Sequence, residues 1–132
     1  MRTIAPPIIA LTLALAFPAP ASAFNSDMKA SLLRLDPVTR LEQRCDVAVM
    51  ERIRQDHGAY NPDRVVAYTF AEPKIDGDEI KTRGAAFRSK GDWYHLTFRC
   101  KTTPDHIGVL ALRYKVGERI PPEDWKRYNL WR

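Results

Sequence analysis

The sequence contains few of the residues from which catalytic and metal-binding motifs are built. Its 132 residues include two cysteines, three histidines and six glycines. Two cysteines are too few for a cysteine-rich zinc site, and no two histidines lie at the spacing of metal ligands. Glycine-rich phosphate loops and the nucleophile elbow of serine hydrolases are also missing. We therefore expect neither a metal nor a cofactor, and no residue is assigned a catalytic role.

A hydrophobic run long enough to span a membrane is absent as well, because a span needs about 20 apolar residues. The apolar stretch Ile8–Phe17 is shorter and leads into Ala21-Ser22-Ala23, the small-x-small pattern that signal peptidase cleaves. These features predict a signal peptide over residues 1–23, cleaved between Ala23 and Phe24, and a single domain over residues 24–132. We expect a periplasmic or secreted protein whose mature chain has no transmembrane segment.

The two cysteines are expected to form a disulfide, as is usual in an exported chain with an even cysteine count. Cys45 falls in the apolar stripe of a predicted helix, and Cys100 falls on the apolar face of a predicted strand. Packing that stripe on that face brings both sulfur atoms into one core layer. A catalytic redox pair is not favoured, since redox motifs place their cysteines close together in sequence.

A helix is predicted to begin at Asp36-Pro37, because aspartate caps free backbone amides and proline suits the first helical position. The helix ends before Gly58, and a short turn or helix over Asp27–Leu35 precedes it. Its apolar side chains recur at three- and four-residue steps, which places them on one face. They are Leu35, Val38, Leu41, Cys45, Ala48, Val49 and Ile53.

Alternating polar and apolar residues predict antiparallel strands in the rest of the chain. Pro121-Pro122 then opens a short C-terminal helix. The predicted fold is α+β, with an N-terminal helix packed on one face of an antiparallel meander of about four strands, a short C-terminal helix and one helix-to-strand disulfide. The strands are predicted over Arg64–Phe70, within Glu79–Arg88, over Trp93–Lys101 and over Ile107–Val116, the last closed by Gly117.

Positive charge is concentrated in the second half of the chain. Residues 24–80 carry 8 basic and 11 acidic side chains, a net charge of −3, whereas residues 81–132 carry 12 basic and 5 acidic ones, a net charge of +7. A clustered field of one sign raises the local concentration of oppositely charged ligands. The split indicates an anion-facing surface, although a solvated face that only keeps the protein soluble has the same signature.

The candidate ligand-binding residues lie on the face of the predicted sheet opposite Cys100. Aromatic side chains beside cations on an exposed sheet face can bind sugars, phosphates or nucleic acid. An exported location and the lack of a recognition motif argue against nucleic acid. The expected partner is therefore an anionic envelope component, either peptidoglycan or a lipid headgroup, or an envelope protein. The candidates are Trp93, His95, Arg99, Arg113 and Lys115, with Thr97 and Ala111 beside them and Lys81, Arg83 and Arg88 as further candidates from the preceding strand.

These features favour a non-enzymatic binding or structural domain over two other classes of protein. An enzyme would need a concave site in which His95 lies within reach of a carboxylate. An inhibitor of an exported hydrolase would need a protruding loop, for which Thr102–His106 is the candidate. Even in a binding domain, Trp93 has a structural alternative, which is to pack under a loop or under the C-terminal segment.

Six segments carry a resemblance to a known family. They are Leu35-Asp36-Pro37, Leu41 to Asp46, Ala85 to Tyr94, Phe98-Arg99-Cys100, Tyr114 to Gly117, and Ile120-Pro121 with Trp125. Together they resemble a bacterial family catalogued only as a domain of unknown function, number nine hundred and thirty. The resemblance covers nearly the whole mature chain, and it implies no activity and no catalytic residues. Some members carry the domain behind a membrane anchor and a proline-rich spacer, so the resemblance implies association with the envelope.

Overall fold

The computed structural model describes residues 24–132, and the predicted signal peptide, Met1 to Ala23, lies outside the described residues. Within this range the chain forms three helices, one 3-10 turn and five strands, which confirms the α+β class. In chain order they are α1 (Ser26–Leu33), α2 (Pro37–Asp56), β1 (Pro62–Val66), β2 (Lys74–Asp76), β3 (Glu79–Ser89), β4 (Asp92–Thr102), β5 (Val109–Arg119), α3 (Pro122–Trp125) and the 3-10 turn Lys126–Tyr128.

The long helix α2 begins and ends where the sequence predicts. Its N-terminus is capped by Asp36, whose side chain accepts a hydrogen bond from the Thr39 amide at 3.1 Å, and Pro37 occupies the first turn. The helix ends at the cap residue His57, immediately before Gly58. The short helix α1 corresponds to the turn or helix predicted ahead of it.

The five strands form one antiparallel sheet in the order β1-β3-β4-β5. Strands β3, β4 and β5 are a meander of 11-residue strands. Strands β1 and β2 both pair with β3, one with each half of its outer edge. The predicted meander is confirmed, and β2 is an addition to it. The sequence does not reveal β2, because three residues are too few to establish an alternating pattern.

Strands β1 and β5 have bounds that differ from the sequence prediction, since β1 begins at Pro62 instead of Arg64 and β5 begins at Val109 instead of Ile107. Strand β1 stops at Val66 instead of Phe70, because the chain turns over the sheet after Val66. Strand β5 continues through Gly117 to Arg119. A Cβ atom at Gly117 would lie only 2.8 Å from the Cβ of His95. The glycine therefore permits a close approach within the strand rather than ending it.

Helix α2 packs on one face of the sheet, and the disulfide joins the two layers. Cys45 and Cys100 are fully buried, with their Cα atoms 6.0 Å apart and an S–S distance of 2.09 Å. The predicted helix-to-strand disulfide is confirmed. The other buried members of this core are Leu41, Val49, Ile53, Val65, Ala67, Ile80, Ala85, Phe87, Leu96 and Phe98.

The opposite face of the sheet is also covered, but only over half of its length. There the C-terminal segment, residues 120–131, folds back over Trp93, which is fully buried. The Trp93 Nε1 group donates a hydrogen bond to the carbonyl oxygen of Trp131 at 2.7 Å. In this half of the sheet both faces are therefore covered, one by α2 and the other by the C-terminal segment. The second core consists of Ala86, Trp93, Ile120, Trp125 and Leu130.

Strand β3 contains a one-residue bulge, which determines the face of the sheet to which the residues after it point. The register between β3 and β4 shifts between Thr82 and Ala85, beside Gly84. A Cβ atom at Gly84 would lie 2.3 Å from the Ala71 amide nitrogen, so the turn after β1 can cross the strand only at a glycine. Because successive strand residues point to opposite faces, the extra residue keeps Phe87 on the helix side of the sheet.

Candidate anion-binding face

The half of the sheet that the C-terminal segment leaves open carries a group of cations, which we call the basic face. Helix α2 covers the other side of the same strands, so these side chains project away from the main core. Each of them is exposed. The basic face consists of Lys81 and Arg83 from β3, Arg99 from β4, and Arg113 and Lys115 from β5.

Three of these cations lie in one row across the sheet. Lys81 pairs with Arg99 in the β3–β4 register, and Arg99 pairs with Arg113 in the β4–β5 register. Side chains that face each other in this way have Cβ atoms about 5 Å apart, and like charges at that separation destabilise the sheet. A multivalent anion bound across the row would remove this repulsion.

One carboxylate, that of Glu79, partly neutralises the row. Its Oε2 atom lies 3.1 Å from Nε of Arg99, and its Oε1 atom lies 3.5 Å from Nζ of Lys81. The hydrogen bond from Arg99 is the main reason that the pKa of Glu79 lies below its usual range. Arg113 and Lys115 make no ion pair with any described residue. The basic face therefore retains a clear excess of positive charge.

The five cations surround a shallow depression of about 330 Å³. None of the described residues that line it is acidic. The depression is open to solvent along the sheet, so it cannot enclose a small reactant and exclude water from it. Its geometry suits the binding of an extended anion and does not suit the activation of a buried group. Besides the cations, its lining residues are Thr82, Thr97, Phe98 and Tyr114.

The structure brings together three of the predicted ligand-binding residues and separates two. Arg99, Arg113 and Lys115 share the basic face. His95 is exposed at its boundary, where its ring stacks on Phe70 with centroids 4.4 Å apart. The expected exposure of Trp93 is wrong, because the C-terminal segment buries its ring completely. Packing under that segment, the alternative that the sequence left open, is what the structure shows.

The further candidates from β3 divide in the same way. Lys81 and Arg83 belong to the basic face, whereas Arg88 is held at the other end of the strand. Both oxygens of the Asp63 carboxylate accept hydrogen bonds from Arg88 at 2.9 Å. Sequence reasoning missed the role of Glu79, although its place two residues before Lys81 on an alternating strand puts both on one face.

The histidine–carboxylate contact in the described part of the chain involves His106, not His95. Nε2 of His106 lies 3.0 Å from Oδ1 of Asp78, and its Nδ1 lies 2.7 Å from the carbonyl oxygen of Pro37. The His106 ring is buried, and both of its nitrogens are engaged. This contact therefore ties the β4–β5 loop to α2 and to the β2–β3 turn, and it leaves no nitrogen available to a substrate.

The β4–β5 loop, which contains the candidate inhibitory segment Thr102–His106, is anchored to the rest of the domain. Thr102 and His106 are both buried at its ends. Inside the loop, the Thr103 amide donates to the Gly108 carbonyl oxygen at 2.8 Å, and the Asp105 carbonyl oxygen accepts a hydrogen bond from Arg40 of α2 at 3.2 Å. The loop is packed against the body of the domain.

Residues 24–132 include no helix that combines the length and the apolar character of a membrane span.

Comparison with known proteins gives one match. A family described as Domain of Unknown Function (DUF930) matches residues 32–130, as the resemblance of the sequence segments predicted. No curated protein and no solved structure matches the chain.

Proposed function

The chain belongs to the DUF930 family, whose function is unknown, and we propose that it binds an anionic envelope component through its basic face. In this proposal the protein is a non-enzymatic domain of the periplasm or the cell exterior. Carboxylate- or phosphate-bearing ligands are the chemistry that this surface fits. Peptidoglycan and anionic lipid headgroups are the two sources of that chemistry in an envelope.

The observation that carries the proposal is the row of Lys81, Arg99 and Arg113 across three neighbouring strands. A sheet with no partner at this face would gain stability from alternating charges, because opposite charges attract across strands and like charges repel. None of the described residues that line the depression is acidic, and the C-terminal segment stops short of it. The clustering is therefore in excess of what solubility needs.

The proposed location rests on two features. The sequence begins with a predicted signal peptide, and the folded domain contains a fully buried disulfide between Cys45 and Cys100. Disulfides form and persist in oxidising compartments such as the bacterial periplasm and are rare in the cytosol. Both features support an exported protein.

The test is charge reversal at Arg113 and Lys115, which make no ion pair with described residues. We expect Arg113→Glu with Lys115→Glu to abolish co-sedimentation with purified peptidoglycan and with phosphatidylglycerol vesicles at low salt. Reversal of Arg99 is less suitable, because it would place a second carboxylate beside Glu79.

A matched control reverses two cations on the helical side of the molecule. Arg34 and Arg52 are exposed, and Arg34→Glu with Arg52→Glu changes the net charge by the same amount. This control should bind as the wild-type protein does, and the thermal midpoints of both double variants should stay close to that of the wild type. Equal loss of binding in the two double variants would show a net-charge effect. If the wild-type protein binds neither peptidoglycan nor the vesicles at low salt, the proposal is wrong.

A further inference from the structure

A second concavity lies on the same side of the sheet as the basic face, and we call it the aromatic pocket. It has a volume of about 370 Å³ and lies between the turn after β1 and the C-terminal segment. That volume is within the usual range for small-ligand sites, about 300 to 1,000 Å³. Its lining residues are Val66, Tyr68, Thr69, Arg127, Tyr128, Asn129 and Trp131.

Two aromatic side chains of the pocket are unusually accessible to solvent. Tyr68 is 56% exposed and Trp131 is 47% exposed. Trp131 is nevertheless held in place, because its ring lies 5.7 Å from that of the buried Trp93 and its carbonyl oxygen accepts the Trp93 hydrogen bond. The guanidinium of Arg64 lies over the same ring, 5.6 Å from its centroid. The pocket therefore presents a fixed aromatic surface to solvent.

Polar groups accompany these rings. The side chains of Arg127 and Asn129 line the pocket and form neither a hydrogen bond nor an ion pair with any described residue. Arg127 lies over the ring of Tyr128, 5.5 Å from its centroid. An acyl chain would pack on the rings but would use neither the amide of Asn129 nor the guanidinium of Arg127. A sugar satisfies both features, because its C–H face packs on aromatic rings while its hydroxyl groups exchange hydrogen bonds with polar side chains.

The aromatic pocket and the basic face are connected along β4. Phe70 contacts Tyr128 of the pocket and stacks on His95, and Thr97 and Arg99 follow His95 at two-residue steps on the same face. Six residues of strand separate Trp93, beneath Trp131, from Arg99, which corresponds to about 20 Å. A single lipid headgroup cannot reach both sites, whereas a polymer of several sugars can.

We propose that the aromatic pocket binds a sugar ring of an acidic glycan whose carboxylate groups lie along the basic face. This inference rests on the proposed function and selects the cell-wall glycan over the lipid headgroup as its ligand. Arg127 at the pocket adds a preference for a sugar that itself carries a carboxylate.

The experiment compares three probes that separate sugar from charge. Peptidoglycan offers both, phosphatidylglycerol vesicles offer charge without glycan, and a neutral N-acetylglucosamine tetramer offers sugar without charge. The test variant is Tyr68→Ala, since Tyr68 is exposed in a turn and all tryptophans remain as fluorescent reporters. A second variant, Trp131→Ala, keeps the backbone carbonyl that Trp93 uses. The control is Leu110→Ala, which removes a side chain that is 62% exposed and lines neither site.

We expect the tetramer to change the tryptophan fluorescence of the wild type and of Leu110→Ala. Tyr68→Ala should lose that response, and both pocket variants should bind peptidoglycan about tenfold more weakly while binding vesicles unchanged. The inference is wrong if the tetramer does not change the fluorescence of the wild type. It is also wrong if Tyr68→Ala binds peptidoglycan and the tetramer as the wild type does.

The two proposals fail in different ways. If Arg113→Glu with Lys115→Glu abolishes peptidoglycan binding and Tyr68→Ala has no effect, the basic face acts alone and only the glycan inference is lost. If Tyr68→Ala weakens tetramer and peptidoglycan binding and the charge reversal has no effect, the basic-face function is wrong and the sugar site remains.

Discussion

One oxygen of the Asp46 carboxylate is cut off from solvent, although the residue as a whole is half-buried. Its Oδ1 atom has no accessible surface and no hydrogen-bond partner among the described residues. Burial raises the pKa of Asp46 well above its ordinary value, and the nearby carboxylate of Glu42, one turn earlier in α2, adds to the shift. The pKa of Glu42 is itself raised by burial. Both shifts mean that the folded state binds protons more tightly than the unfolded state does.

The direction of these shifts fixes how Asp46 affects stability. As pH rises above its unfolded pKa, near 4, the unfolded chain ionises first, so the free energy of unfolding decreases. Asp46→Asn should therefore stabilise the protein at pH 7, by about 1 to 3 kcal/mol, because it removes an unpaired buried charge. Urea unfolding of the two proteins at pH 7 and at pH 3.5 measures the effect, and the gain should nearly vanish at the lower pH.

The control for Asp46→Asn is Glu118→Gln, which makes the same chemical change at an exposed position of β5. It should leave the free energy of unfolding within about 0.5 kcal/mol of the wild-type value. A variant Asp46→Asn that is less stable than the wild type at pH 7 would contradict this explanation and would point to a partner for the carboxylate.

The junction between α2 and β4 depends on the disulfide. Cys45 and Cys100 lie 55 residues apart in sequence, and a loop of that length corresponds to about 4 kcal/mol of lost unfolded-state entropy in the chain-entropy estimate. Replacing both cysteines by alanine should lower the free energy of unfolding by about 2 to 5 kcal/mol. Urea denaturation measures the change. The comparison is urea denaturation of the wild-type protein in the presence of a reducing agent. A loss below about 1 kcal/mol would show that packing alone holds the two layers together.

The elements that the sequence predicted well are those governed by local periodicity. The stripe of α2, its Asp36 cap and the alternation of β4 and β5 assign Cys45, Cys100 and Arg99 to the correct faces, because the period of a helix or strand is a property of its own backbone. A local pattern cannot show which part of a face another segment will cover. Trp93 lies on the same face of β4 as Arg99 and yet is buried, because the chain returns about 30 residues later to pack on it.

The bulge in β3 and the aromatic pocket could not be predicted from the sequence for a related reason. Gly84 is required by the approach of Ala71, which depends on the path of a turn rather than on any periodicity. Tyr68 and Trp131 meet only because the C-terminal segment returns to the edge of the sheet. The one available signal was the recurrence of Trp125, Tyr128 and Trp131 at three-residue steps, which indicates aromatic side chains gathered in one short segment.

Charge in the whole molecule is divided between two sides. The helical region, residues 26–56, carries six basic and six acidic side chains. On the other side of the sheet, the five cations of the basic face surround a depression whose lining, among residues 24–132, includes no acidic side chain. A surface of this kind attracts anions at a distance and orients the protein toward them, in a way that depends on ionic strength.

Binding at the two proposed sites should therefore differ in its dependence on salt concentration. The distance over which exposed charges act falls from about 10 Å at 0.1 M salt to about 3 Å at 1 M. Wild-type binding to peptidoglycan should weaken at least about tenfold between low and high salt, and the control Arg34→Glu with Arg52→Glu, which is expected to bind as the wild type does, should show the same dependence. The fluorescence response to the neutral tetramer should be nearly constant over the same range, because the aromatic pocket holds a sugar by stacking and hydrogen bonds. Peptidoglycan binding that is insensitive to salt would show that the cations of the basic face do not contact the ligand.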